Sequence, residues 1–535
     1  MHRIFLVPKS GMRKAFTYKM IMKEGVNMRK KLVTAVLLAT SLLAACASNN
    51  PSAEPAPTGA ASSKPSADPV KIETMQEGGV VSADGPGFPK DDFVKNELNK
   101  KLNMDLTMTM EANDFTAKLS TRMAGGNPAD LMLISKDQVQ KFAQSGVLLD
   151  MTPYLSKLTD YKKFVGEDQL SKGNIGGKQV ALPKASGITI FTYWIRKDWL
   201  NTLKLNAPTT IDELFNVAKA FTENDPDGNG KKDTFGMTGT GIDTFAPVFG
   251  AYGVSNSLTS PSILLNGKIT NSLYDPNMKE ALTAVKRFVD AGVVDPEFLV
   301  NKGNTSKDKA FQGKIGIVFD GWSGIIRDEQ VKIWKQANPN AEWVQLTALK
   351  GPTGLQFTSM KELGASGNLI ALPKSLEKQP EKLNKIIELL NYVSTTDGNR
   401  LVDYGVKDVH YKADGDKITI TDQGKKENGY TFAYQFTGRP ELSYLKTKFP
   451  AQASYIEIEA NLPRLPVADK MIDLPSGYNK ADVDTFVQEE ITKFIYGKTP
   501  ITDYSKFLAT LEGTFNYKLY TDAVTKQAAA LGLTK

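Results

Sequence analysis

An α/β fold is what the 535-residue sequence predicts, and two observations carry the prediction. From Val70 onward short apolar runs alternate with longer amphipathic stretches, and the linkers between them are compact. Val70 to Met75 alternates like a first strand. Phe93, Val94, Leu98 and Leu102 recur at helical spacing, so 93–102 reads as a helix, and 105–110 alternates again as a second strand. Residues 115–123 form a second helical pattern that stops at Gly125, Gly126, Asn127 and Pro128, and 129–134 is apolar enough for a buried strand. Strand, helix, strand, helix, strand with such short linkers implies right-handed parallel crossovers.

Composition narrows the function classes. At 41% hydrophobic and 23% charged residues the chain is globular, with length enough for two to four domains. A single cysteine excludes an internal disulfide framework, a CxxC redox pair and a cysteine zinc cluster. The net charge of +7 points to nucleic acid only until it is located along the chain. Residues 1–45 hold nine Lys/Arg and one acid, which leaves 57 basic and 58 acidic residues in 46–535. The body is electrically balanced, and the argument for a phosphate-backbone partner disappears.

The same leader accounts for the cysteine. Met28, Arg29, Lys30 and Lys31 precede the apolar run 32–45, the n-region and h-region of a secretory signal that is too short to span a bilayer comfortably. The run ends in Leu43, Ala44, Ala45 and Cys46, which resembles the lipobox of bacterial lipoproteins, where the cysteine is acylated and becomes the mature N-terminus. Residues 1–45 are thus expected to be leader and lipoprotein signal peptide, with Met28 the true start, and 46–69 the lipidated Cys46 and a linker. The Pro/Ala/Ser/Gly-rich stretch 49–70 has almost no bulky apolar residues and reads as a flexible tether. The expected location is the extracellular face of the cell membrane, held there by the lipid, palmitate included.

Seven runs then appear in order along the body: GGNPADL at 125–131, FAQSGVLLDMTPY at 142–154, GKQVALP at 177–183, IRKDWL at 195–200, PTTIDEL at 208–214, AGVVDP at 291–296 and FQGKIG at 311–316. Together they resemble the extracellular solute-binding lipoproteins of ABC transporters, family 1, in the branch that carries oligosaccharides and includes alginate-oligosaccharide-binding proteins. The resemblance implies a two-lobed, periplasmic-binding-protein-like α/β fold with hinge-connected lobes. It places the first lobe at 70–187 plus 364–395 and the second at 188–363 plus 396–535, with Gly187 and the stretch 364–367 near the crossings.

The sharpest local motif runs from Asp225 to Asp233. It sets oxygen side chains of Asp225, Asp227, Asn229 and Asp233 at loop positions 1, 3, 5 and 9, Gly230 at 6 and the backbone carbonyl of Lys231 at 7. Hard oxygen ligands in that spacing suit a structural Ca²⁺. The departure is Gly236 at position 12, where a bidentate Glu normally stands. Alginate-binding members of the family are similar in carrying a calcium loop here.

Past Cys46 the chain has one histidine, His410, which disfavours a His-based triad or a His-rich metal site. No catalytic residue is nominated. Sugar binding needs flat apolar faces and planar polar groups. Trp322, in a Gly/Ser loop after the strand pattern 315–319, occupies the position where sugar-binding members of the family stack an aromatic on ligand. Tyr193 and Trp194 stand close to the expected hinge, and alternation sends one of them inward. Gln76 and Glu77 end the first strand at the edge where the family binds ligand, and Tyr404 and His410 lie in a segment that resembles one near the family's cleft. The leading reading is a monomeric binding protein, not an enzyme, that captures an extracellular oligosaccharide and delivers it to ABC permease subunits. A lipid-anchored polysaccharide hydrolase or lyase and a surface adhesin are the rivals.

Overall fold

The computed structural model describes residues 68–364 and 367–534. The leader, Cys46 and nearly all of the linker lie outside the described residues. The chain divides into a unit of 1–66 and one of 67–535, and the second contains everything below.

The first sheet has the order Leu369–Ala371, Leu131–Ile134, Val70–Glu77, Met104–Glu111. Val70–Glu77 pairs parallel with both neighbours, in register Val70 with Met104 and Thr74 with Leu131, while Leu369–Ala371 runs antiparallel. The crossover helices are Phe93–Leu102 and Phe115–Ala124, in the order that the apolar spacing predicts. Asp92 starts the first of them by accepting from the Lys95 amide at 3.0 Å. Ser135 and Gln138 form a capping box that starts Lys136–Gln144.

Among the described residues there are two further four-stranded sheets and three two-stranded ones, Val81–Ser82 with Gly85–Pro86, Asn174–Ile175 with Lys178–Gln179, and Tyr411–Asp414 with Lys417–Ile420. One of the four-stranded sheets has the order Trp343–Gln345, Phe191–Arg196, Ile315–Gly321, Phe235–Thr238, and the other Lys268–Asn271, Ser262–Leu265, Arg464–Val467, Ser359–Glu362. Thr210 and Glu213 form a second capping box at the start of Ile211–Glu223, whose apolar side packs Leu214, Val217 and Phe221 under the sheet that holds Ile317.

Of the five apolar clusters among the described residues, three are the largest, while Met75, Phe115, Met132 and Val139 belong to a fourth and Ile263, Leu465 and Val467 form the smallest. The first of the large three joins Ile72, Leu98, Leu131, Ile370 and Leu390 around the first sheet. The second gathers Trp199, Phe221, Phe245, Phe288 and Phe494, and the third Trp194, Trp322, Trp334, Trp343 and Tyr444. The segment after Thr395 contributes to both sides. Leu401, Val402, Tyr430, Tyr434 and Phe436 join the first cluster, whereas Tyr404, Tyr411 and Tyr444 join the third. Among the described residues no helix is long and apolar enough to cross a membrane.

Candidate functional site

The contact between the segments around Ala185 and Gly438 sets the site. The Ala185 amide donates to the Thr437 carbonyl at 2.8 Å, and at Gly438 a Cβ would come within 2.9 Å of the Ala185 nitrogen. Gly438 also has φ of 87°, so close approach and left-handed backbone both require glycine. Arg439, the next residue, grips Glu441 in a two-point ion pair at 2.6 and 2.7 Å and donates to Gln435 Oε1 at 2.9 Å. Its guanidinium lies 4.0 Å over the Tyr444 ring. Gln435 in turn donates to Asp403 Oδ1 at 2.7 Å.

Beside this chain of contacts lies a cavity of about 1160 Å³, lined by residues between 322 and 329 and between 403 and 452; Trp322, expected in a loop, instead opens the short helix Trp322–Ile325. Its aromatic lining is Trp322, Tyr404, Phe432, Tyr444 and Phe449. Four buried polar atoms on lining residues have no partner among the described residues: the donors Trp322 Nε1 and Arg327 Nε, and the acceptors Asp403 Oδ2 and Asn428 Oδ1. Burial pushes the Asp403 carboxyl up to about 7, with Arg439 and the Gln435 hydrogen bond pulling the other way. Unpaired buried polar groups are costly, and aromatic faces combined with a few such groups form the environment a polyhydroxylated ring complements.

The residues nominated from sequence are distributed unequally around this cavity. Trp322 is in its wall, but only 1% of the residue is exposed; its indole packs 5.0 Å from Phe449 and its amide donates to Glu459 Oε2 at 3.0 Å. Tyr193 and Trp194 are both buried, because their sheet is covered on both faces. Tyr193 donates its hydroxyl to the Thr244 carbonyl at 2.6 Å, and Trp194 packs on the opposite face against Tyr455. Gln76 donates to the Ala433 carbonyl at 2.8 Å and so ties the end of the first strand to the segment carrying Phe432. Glu77 is exposed at the end of that strand. Tyr404 lines the cavity, whereas His410 is structural: its Nδ1 accepts from the Val406 amide and its ring stacks on Phe93 at 4.0 Å.

Sequence reasoning passed over Asp403, Phe432, Arg439, Tyr444 and Phe449. A signal was available: Tyr430, Phe432, Tyr434 and Phe436 put an aromatic at every second position, ahead of Gly438 and Arg439. Exposed Phe191, stacked on Phe319 at 5.9 Å in the second sheet, was also passed over.

Away from the cavity, the 225–233 loop curls on itself. Asp225 accepts from the Asn229 and Gly230 amides at 3.0 and 2.9 Å, and the Asn229 side-chain amide bridges Asp227 and Asp233 at 2.8 and 3.2 Å. The Gly230 amide holds the Asp225 carboxyl down, while burial and the neighbouring Asp225 and Asp233 push Asp227 up. Crowded carboxylates of this kind are what a hard cation relieves. At Gly236 a Cβ would stand 2.4 Å from the Ala218 carbonyl oxygen, so no carboxylate side chain fits at the twelfth position. Among the described residues no His, Cys, Asp or Glu cluster forms a ready cage, so the donors match in type but not yet in arrangement.

Comparison with known proteins agrees with this architecture. The chain is 25% identical over 495 residues to the polygalacturonan/rhamnogalacturonan-binding protein YtcQ of Bacillus subtilis, covering 90% of this chain and 95% of that one. It is 27% identical over 452 residues to lipoprotein LipO of the same organism, covering 81% and 82%. In three dimensions it superposes on alginate-binding protein AlgQ2, solved without calcium ion, with a TM-score of 0.64 over 86% of this chain and 98% of that one at 16% identity, a likeness of fold. The fold is thus the two-lobed α/β fold of periplasmic-type binding proteins. The family model for bacterial extracellular solute-binding proteins matches residues 94–397, and the chain belongs to that family.

Proposed function

We propose that the protein captures an oligosaccharide outside the membrane and presents it, chemically unaltered, to an ABC import permease. The observation that carries this reading is the large cavity lined by Trp322, Tyr404, Phe432, Tyr444 and Phe449, where aromatic faces stand beside unpartnered buried donors and acceptors. YtcQ, named for polygalacturonan and rhamnogalacturonan binding, aligns along nearly the whole chain and supports it. Trp322 contributes its indole N–H and part of the wall, and Gln76 and Glu77 stand at the first-sheet edge. Tyr193 and Trp194 support the crossing from beneath.

In this reading 70–187 with 364–395 is one lobe and 188–363 with 396–535 the other, and ligand draws them together about the crossings. The loop of Asp225, Asp227, Asn229, Lys231 and Asp233 holds a structural Ca²⁺, with Asn229 turning its side-chain oxygen toward the ion. Cys46 carries the lipid, in keeping with the likeness to a protein named as a lipoprotein. The protein acts as a monomer.

A melting panel of plant and algal oligosaccharides tests the function, with each mixture also analysed for products. Stabilisation by a sugar that stays intact is expected. Cleavage would assign the protein to the polysaccharide hydrolases or lyases.

A further inference from the structure

Two phenylalanines stand exposed among the described residues: Phe432, at 41%, lines the cavity, and Phe191, at 45%, does not. Phe191 starts the strand Phe191–Arg196, and its neighbour Ile190 belongs to the cavity lining, as does Trp322. These residues meet at one end of the second sheet. Phe191 pairs with Gly321, and a Cβ at Gly321 would stand 2.7 Å from the Ile190 carbonyl oxygen. Cavity and Phe191 thus share a strand end.

The surroundings of Phe191 are built rather than loose. Its ring stacks on Phe319 at 5.9 Å with the planes 28° apart, and Tyr193 meets Phe319 edge-on at the same distance. The Tyr193 hydroxyl, bonded to the Thr244 carbonyl, fastens the turn Gly241–Phe245 to that face of the sheet. Exposed Asp243 lies in this turn. Its Oδ1 accepts from Asn256 Nδ2 at 2.8 Å, and Asn256 is only 5% exposed. Asp243 Oδ2 has no hydrogen bond, and the carboxyl no ion pair, among the described residues. The turn follows Phe235–Thr238, which runs parallel to Ile315–Gly321, so Asp243 and Phe191 both sit at the carboxyl ends of these strands, where open α/β sheets take their ligands. A lone exposed aromatic is ordinary on a protein surface. One that shares its sheet end with a carboxylate oxygen held ready by a buried amide is not.

We infer that Phe191 and Asp243 form a sugar subsite outside the cavity, in which one pyranose ring lays its C–H face on Phe191 and a hydroxyl of the same chain donates to Asp243 Oδ2. The inference rests on the oligosaccharide-binding reading above and adds a second contact surface, with the two residues that read it. The bound chain then passes over the strand end, with its other rings in the cavity.

The test is calorimetry of the full protein with maltotriose, galactotriose, kestose and trigalacturonate, and with any glycan that raises the melting temperature in the panel above. For each glycan that saturates the unaltered chain, Phe191→Leu should weaken binding roughly tenfold, while Phe191→Tyr, which keeps the flat face, should stay within about threefold. Asp243→Asn retains an acceptor for Asn256 but turns the free acceptor into a donor, and should also cost roughly tenfold. A second measurement reads the contact itself. All five tryptophans of the chain are buried, so Phe191→Trp adds an exposed indole whose emission should move to shorter wavelength on saturation, beyond any change in the unaltered chain. Unchanged affinity in Phe191→Leu or in Asp243→Asn, an equal loss in Phe191→Tyr and Phe191→Leu, or an unmoved Phe191→Trp emission under calorimetrically verified saturation overturns the inference and leaves oligosaccharide capture standing. Saturation by no glycan in either set overturns both.

Discussion

At the scale of single residues, Trp322 shows how burial divides one side chain between two roles. The fully packed indole belongs to the third core cluster, so Trp322→Ala should cost about 3–5 kcal/mol of stability and obscure any binding effect. Trp322→Phe keeps most of the packing and removes the unpartnered Nε1 donor. If a ligand hydroxyl satisfies that donor, affinity should fall roughly tenfold, for about 1–1.5 kcal/mol, in a calorimetric titration; unchanged affinity would make Trp322 purely structural. Glu459 gives a second prediction. Burial pushes its carboxyl up to about 8, against hydrogen bonds from the Trp322 amide and Gln345. A carboxyl raised above its unfolded value stabilises the fold fully below about pH 4.5 and loses that contribution as pH rises through about 8. Melting temperature should therefore decline across that interval, and Glu459→Gln should flatten the decline. The aromatic type and strand-end position of Trp322 were legible in the sequence. Its burial was not, because it depends on Phe449 and Glu459, more than 120 residues away.

Single elements were read best where the pattern is local. The strand–helix alternation from Val70 to Ile134 follows from apolar spacing, and the Thr210/Glu213 box marks its helix start within four residues. The segment Asn428–Tyr434 was not read, since its alternating aromatics have the period of a strand while the backbone forms a 3₁₀ helix. Tertiary contacts decide there: Tyr430 and Tyr434 turn their hydroxyls to Asp92, the cap of the first helix. Tyr434→Phe should loosen that element and lower the melting temperature. Gly438→Ala should cost about 1–3 kcal/mol, because it forces a left-handed residue with a side chain against Ala185. For the 225–233 loop, Ca²⁺ at one hundred times its Kd should add about 2.7 kcal/mol. Chelation and Asp227→Ala should each abolish that gain, and identical melts of stripped protein with and without Ca²⁺ would remove the ion from the account.

For the whole molecule, the ordered runs between 125 and 316 were enough to place the chain in its family. What they did not reveal is that residues 401–436 divide their side chains between two cores and wall the cavity. Contacts between segments distant along the chain leave no periodicity to detect. Ligand closure predicts a smaller radius of gyration by solution scattering at saturation, and an unchanged profile under verified saturation would contradict a hinge. The central claim is capture without chemistry, and calorimetric titration with the glycans that raise the melting temperature, followed by chromatography of the recovered ligand, tests it most directly. The account predicts saturable binding and quantitative return of intact oligosaccharide; shortened or unsaturated products, or no saturable binding to any glycan, would contradict it.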